Sequence, residues 1–207
     1  MAGLMRRRGH RACKMARVTI RPATLDDLGT LVRHRRGMFE DMHPDLRKRD
    51  LDEADRAFRA WARRGMKAGE YAGFVAEAEG RAVASGCVWL QPVQPRPGWT
   101  KGRQAYLLGM FTEPAWRGKG IARRIVQAAM RWSRERGHPR LTLHASQMGQ
   151  PVYEKLGFER TWEMRRLLKP KAPGRPPRAG PARSRGRTPT TRRRAPARPT
   201  RRRSTGT

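Results

Sequence analysis

The chain is short of acid and nearly empty of cysteine. Against 48 lysines and arginines stand 17 aspartates and glutamates, a formal net charge of +31, so polyanionic or phosphate-bearing partners are expected. Two cysteines, Cys13 and Cys87, exclude a disulfide framework and a cysteine-rich metal cluster, and fit a reduced, cytoplasmic location. No apolar run approaches the ~20 residues of a membrane span, and no membrane role is expected. The opening "MAGLMRRRGHRACKM" lacks the apolar core of a secretory signal and is short and poorly amphipathic for a transit peptide. It reads as a dispensable basic leader, with Met15 as an alternative start.

The positive charge is concentrated at the ends. Residues 1–16 carry five lysines and arginines and residues 169–207 carry fourteen, neither stretch with any acid. From residue 170 onward there are eight prolines, twelve arginines and no aromatic residue or aliphatic larger than alanine. Such a segment cannot bury enough apolar surface to order itself. The expected organisation is a leader over 1–15, one domain over 16–169 and a disordered tail over 170–207. The tail arginines lack aromatic neighbours for base stacking. They would hold nucleic acid only weakly, without sequence preference, and with strong dependence on salt.

Within the domain, Val18 and Ile20 alternate with polar neighbours and predict a strand over 17–24. Thr24 with Asp27 three places on resembles a capping box, opening a helix over 25–41 with Leu28, Leu31, Val32, Arg35 and Phe39 on one side; Pro44 stops it. A second helix, 51–67, carries Ala54, Phe58, Trp61 and Met66 at helical spacing, as core. Two apolar runs around Glu79-Gly80 predict a hairpin. Residues 91–103, rich in proline, form a loop, and "AYLLGMF" (105–111) is a buried strand. A helix from Gly120 to Gly137 places Ile121, Ile125, Ala129 and Trp132 on one face and ends in a glycine cap followed by His138-Pro139. A strand over 140–146, a short helix over 151–156 and a last strand over 158–168 complete the order. That order describes an α/β fold: a mixed sheet covered by helices.

The stretch "EPAWRGKGIARRIV" (113–126) follows a buried strand, turns on Gly118 and Gly120, and starts an amphipathic helix. Successive amides in such a turn converge on one point, and a helix N-terminus adds unsatisfied N–H groups, so the turn suits a diphosphate. Glycines at 118 and 120 remove the Cβ atoms that would obstruct it. Arg117-x-x-Gly120-x-Ala122 resembles the R/Q-x-x-G-x-G/A motif of the GNAT superfamily of acetyl-CoA-dependent N-acyltransferases, and "PVYEKLGFER" (151–160) is similar to a second segment of that superfamily. The two matches fall in the family's order, and the likeness extends over residues 17–168.

The resemblance implies a central mixed, mostly antiparallel sheet flanked by helices. It implies acetyl-CoA as co-substrate, with the diphosphate on the amides of Arg117, Gly118, Lys119, Gly120, Ile121 and Ala122. The pantetheine arm would lie along Met110, Phe111 and Thr112, where a bulge splays that strand from the one at 140–146. Tyr153 matches the tyrosine that protonates the leaving thiolate. Ser146 stands where the family has an asparagine, at the cofactor. For the base, Glu113 at the strand end is the first choice and His144 the second, while Glu40, Asp41 and Asp45 could attract a cationic acceptor. No metal is implied. The expected activity is acetyl transfer to a primary amine of a small molecule or peptide by direct attack, with a homodimer left open. Two alternatives remain: a nucleic-acid-binding protein acting through the tail, and a fold that binds acyl-CoA without reacting.

Overall fold

The computed structural model describes residues 17–166. The leader over 1–15, the tail over 170–207 and the alternative start at Met15 lie outside them. The chain divides after Thr161. Of its second unit, residues 162–166 are described; they contain no helix or strand, and Trp162 and Met164 are exposed.

Among the described residues five strands form one sheet in the order β1-β2-β3-β4-β5: Thr19–Pro22, Tyr71–Ala78, Arg81–Pro92, Arg103–Thr112 and Leu141–Thr142. The first three pairings are antiparallel and the last, β4 with β5, is parallel, so the sheet is mixed and mostly antiparallel as expected. Glu79 and Gly80 both take left-handed angles (φ 54° and 74°), the geometry whose twist suits a two-residue hairpin between β2 and β3. The expected loop over 91–103 is shorter than predicted. Gln91 and Pro92 still pair with β4, because the β3–β4 hairpin runs on past the body of the sheet, where a proline at a strand end is tolerated.

Alternation along the strands separates two cores. Phe74, Ala76, Val83, Val88 and Leu107 pack with Ile121, Ile125, Val126 and Ala129 of helix α3 (Ile121–Glu135). Tyr71, Val75 and Cys87 pack on the other face with Leu28, Leu31 and Val32 of α1 (Leu28–Met42) and with Phe58 and Ala62 of α2 (Lys48–Lys67). Thr24 forms the capping box with Asp27 ahead of α1. Arg21 ties the same turn to the sheet, donating to Asp27 at 2.7 Å and to Glu77 at 2.6 Å. At the other end of α3, the His138 N–H reaches the Ser133 carbonyl (3.0 Å) around left-handed Gly137, the glycine cap read from the sequence.

The sheet departs from expectation at its C-terminal edge. The strand over 140–146 is regular only at Leu141–Thr142, and the last strand over 158–168 is absent from its described part, 158–166. The reason for the first is visible in β4. Between Leu108 and Phe111 the ladder slips by one residue against β3, with Gly109 at φ 63° as the extra residue. The bulge turns β4 out of register with any continuation of β5. Beyond Tyr106↔Thr142 the two strands no longer pair. A short helix, α4 (Gln150–Glu154), follows the unpaired stretch.

Candidate active site

The bulge at Gly109 also decides which way the end of β4 faces. Ala105 and Leu107 point to the α3 core; without an extra residue Met110 would face α1. With it, Met110 joins the α3 side, where its thioether lies over Gly86, and Phe111 faces α1. On that face the Phe111 ring abuts Gly37, where an added Cβ would sit 2.8 Å from the ring, and lies 5.3 Å from the ring of buried His34. The parted strands open a cavity of about 520 Å³ that receives residues from both faces of the sheet: Met38, Asp41 and Met42 of α1, Met110, Phe111 and Thr112 of β4, the start of α3, and α4.

After Thr112, a single 3-10 turn (Pro114–Trp116) buries Trp116 and delivers the chain to Arg117. Gly118 and Gly120 follow in left-handed conformations (φ 74° and 73°). A Cβ added to either would meet nothing within 4 Å, so both lie under open space of the kind a phosphate needs. Gly120 caps α3 with no side-chain hydrogen bond, so no cap side chain covers the first-turn amides. Arg117 reaches across the turn and donates to the Thr112 carbonyl (2.9 Å) and to Asp41 (2.5 Å) at the end of α1. Lys119 instead lies 4.6 Å over the Trp116 ring and does not line the cavity.

Tyr153 is buried to 9% exposure on α4 and lines the cavity, its ring edge-on to Phe158 at 5.8 Å. Burial pushes its phenol above the ordinary value, which keeps it a proton donor. Its ring is held close: a Cβ on Gly149 would sit 3.0 Å from it. Ser146 also lines the cavity and accepts the Gly149 N–H on its hydroxyl at 3.1 Å, fixing the turn into α4. Thus ten of the twelve expected site residues meet on one cavity wall.

The candidate bases do not meet there. Glu113 is bound to Arg81 at 2.6 Å and its backbone to Val83, outside the cavity. His144 pairs with the Tyr106 hydroxyl on the β5 side, also outside. Of the acidic residues considered for the acceptor, Asp41 is on the wall, while Glu40 is held by Arg36 at 3.1 Å and Asp45 is exposed.

Several wall residues were not anticipated. Met38, Met42 and Met148, with Arg123 and Lys155, line the same cavity. Met38 and Met42 continue a stripe through Leu31 and His34 that adjoins the face read from the sequence. Helical spacing from Leu31 groups these residues on one side of the helix but does not mark them as a cavity wall. His34 is 1% exposed, with Nδ1 3.0 Å from the Ser85 hydroxyl and Nε2 3.8 Å from Glu113. Burial, and then the charge of Arg33, pull its pKa down to about 4.

The pattern of the acetyltransferase (GNAT) family matches residues 35–158. A glucosamine 6-phosphate N-acetyltransferase of Trypanosoma brucei brucei is 31% identical over 85 residues, which are 41% of this chain and 56% of that protein. The similarity therefore spans little more than half the length of that relative. The structure of a GCN5-related N-acetyltransferase from Ralstonia eutropha JMP134 is similar with a TM-score of 0.65 and 30% identity, covering 73% of this chain and 98% of that one. A predicted acetyltransferase from Clostridium acetobutylicum, solved with acetyl-CoA, gives 0.66 and 26% over 73% and 96% of the two chains. With the sheet order, the bulge and the glycine turn already in place, these matches establish that the chain belongs to the acetyltransferase (GNAT) family.

Proposed function

We propose that the chain is an N-acetyltransferase, moving an acetyl group from acetyl-CoA to a primary amine of a small molecule or peptide by direct attack. The observation that carries this reading is the turn at Gly118 and Gly120, open above both glycines and leading into α3 beside a cavity that spans the sheet. When bound, acetyl-CoA supplies an activated thioester, whose C–S bond breaks as the amine nitrogen forms the C–N bond. The amides of residues 117–122 would hold its diphosphate, with Arg123 and Lys155 adding positive charge on the wall. The free edge at Met110, Phe111 and Thr112 would pair with its amide-bearing arm. The Tyr153 phenol, kept protonated by burial, would donate its proton to the departing sulfur and recover one from solvent. The amine's own proton would leave through solvent, with Asp41 the one carboxylate on the wall among the described residues.

The test is Gly120→Asp. A side chain there is strained at φ 73° and brings a carboxylate to the phosphate position. Calorimetric titration should show acetyl-CoA affinity falling at least tenfold, a loss of about 1.4 kcal/mol, in a variant with native circular dichroism. Unchanged affinity would refute the assignment.

A further inference from the structure

The cavity has two unlike ends. Beside α3 and α4 its wall is basic, with Arg123, Lys155 and the glycine turn. Beside α1 it is apolar: Met38, Met42 and Phe111; Met148, from the loop before α4, lines the same cavity. Four of the chain's ten methionines line this one cavity. Met42 and Met148 are also 41% and 68% exposed, so the apolar surface continues out through the mouth. Among the described residues Asp41 is the single acid on the wall, and Arg117 is its partner.

This lining discriminates among amines. Sugar hydroxyls pressed against thioethers would give up water and gain no hydrogen bonds, which is unfavourable for each. A phosphate at this end would face the Asp41 carboxylate, and the nearby cation, Arg117, is already matched. A polyamine would find one acid for several charges. Methionines, by contrast, adapt to apolar shapes and pack well against aromatic rings. We infer that the acceptor is a primary amine with one positive charge on an aryl or alkyl body, the body lying on Met38 and Met42 and the ammonium drawn by the second carboxylate oxygen of Asp41, Arg117 occupying Oδ2. This inference rests on the acetyl-transfer reading and names its acceptor class.

The experiment uses the full chain and separates the two claims. Calorimetry first measures acetyl-CoA binding. Thiol release is then followed with 2-phenylethylamine, hexylamine, glucosamine 6-phosphate and spermidine, and each amine is also titrated into the CoA-loaded protein. The expected result is a kcat/KM for the two apolar amines at least tenfold above the other two, with the same ranking in binding. Met38→Gln should lower kcat/KM for 2-phenylethylamine several-fold while leaving acetyl-CoA affinity unchanged. If acetyl-CoA binds and thiol is released fastest with the sugar phosphate or spermidine, the acceptor class is overturned and the acetyl-transfer reading stands. If acetyl-CoA binds and no amine releases thiol, the transfer reading falls. In that case the amine titrations decide the acceptor class, and failure of 2-phenylethylamine to bind more tightly than glucosamine 6-phosphate overturns it. If acetyl-CoA does not bind, both fall.

Discussion

Acidification should loosen this protein through His34 before its carboxylates titrate. The imidazole is 1% exposed beneath Phe111, and its pKa is pulled down to about 4 by burial and then by Arg33, only partly countered by Glu113. The ordinary value of 6.5 applies to the unfolded chain. At pH 7 both states are essentially neutral at this site. As pH falls below 6.5 the unfolded chain takes up the proton, while the folded one resists until about 4. Stability is therefore full above pH 6.5, is lost progressively through the window down to about pH 4, and is flat below it. A depression of that size is worth roughly 3 kcal/mol, at about 1.4 kcal/mol per unit, most of it gone by pH 4.5. Against a typical total of about 5–15 kcal/mol this is a large fraction. The assay is urea unfolding from pH 7 to pH 4.5 for the natural chain and for His34→Asn, which keeps a polar atom near Ser85 and does not titrate. His138, also depressed, by burial and then Lys101 and Arg136, and the carboxylates other than Glu113, which lies 3.8 Å from His34, are common to both proteins and cancel in the difference. The variant should be less stable at pH 7, and its deficit should shrink by roughly 2 kcal/mol at pH 4.5. A deficit that stays constant across that range would mean His34 is not the group responsible.

Tyr153→Phe removes one hydroxyl and keeps the ring against Phe158, so acetyl-CoA affinity should hold while turnover falls about 10²–10⁴-fold; a turnover within about twofold, with chemistry rate-limiting, would make Tyr153 a packing residue. Gly37→Ala places a Cβ 2.8 Å from the Phe111 ring. The helix gains up to about 1 kcal/mol of propensity, but overpacking of about 1–3 kcal/mol outweighs it. A lowered melting temperature with a raised KM for the amine is expected, and a more stable variant with unchanged KM would show that the ring yields freely.

Most of the proposed cofactor end of the site is local in sequence, and that is why its turn and helix start could be read. The turn, its two glycines and the start of α3 lie within residues 117–122, and a left-handed glycine or an open helix N-terminus needs no distant partner to be recognised. The hairpin at Glu79-Gly80 and the capping box at Thr24 are local in the same sense. The expected strand over 158–168 failed for the opposite reason. Phe158, Trp162 and Met164 alternate as a strand would, but a strand exists only beside a partner edge, and β5 has two paired residues. Alternation describes a face, not a neighbour.

The proposed acceptor end was hidden by the same logic carried further. Met38 and Met42 read as ordinary helical residues, and nothing within α1 distinguishes them from core. They become a wall because a single extra residue at Gly109 turns Phe111 toward α1 and ends the pairing of β4 with β5, opening the sheet beside them. Met148 reaches the same cavity from more than a hundred residues away. The bulge thus does two things at once. It frees the strand edge where the cofactor arm would pair, and it exposes to that arm a set of side chains that no cofactor motif constrains. The glycine turn and the α1 stripe belong to separate segments of the chain. Under the proposed function, acceptor preference is therefore to be sought in Met38 and Met42, and a change confined to those two should redirect acetyl transfer among amines without disturbing how acetyl-CoA is held.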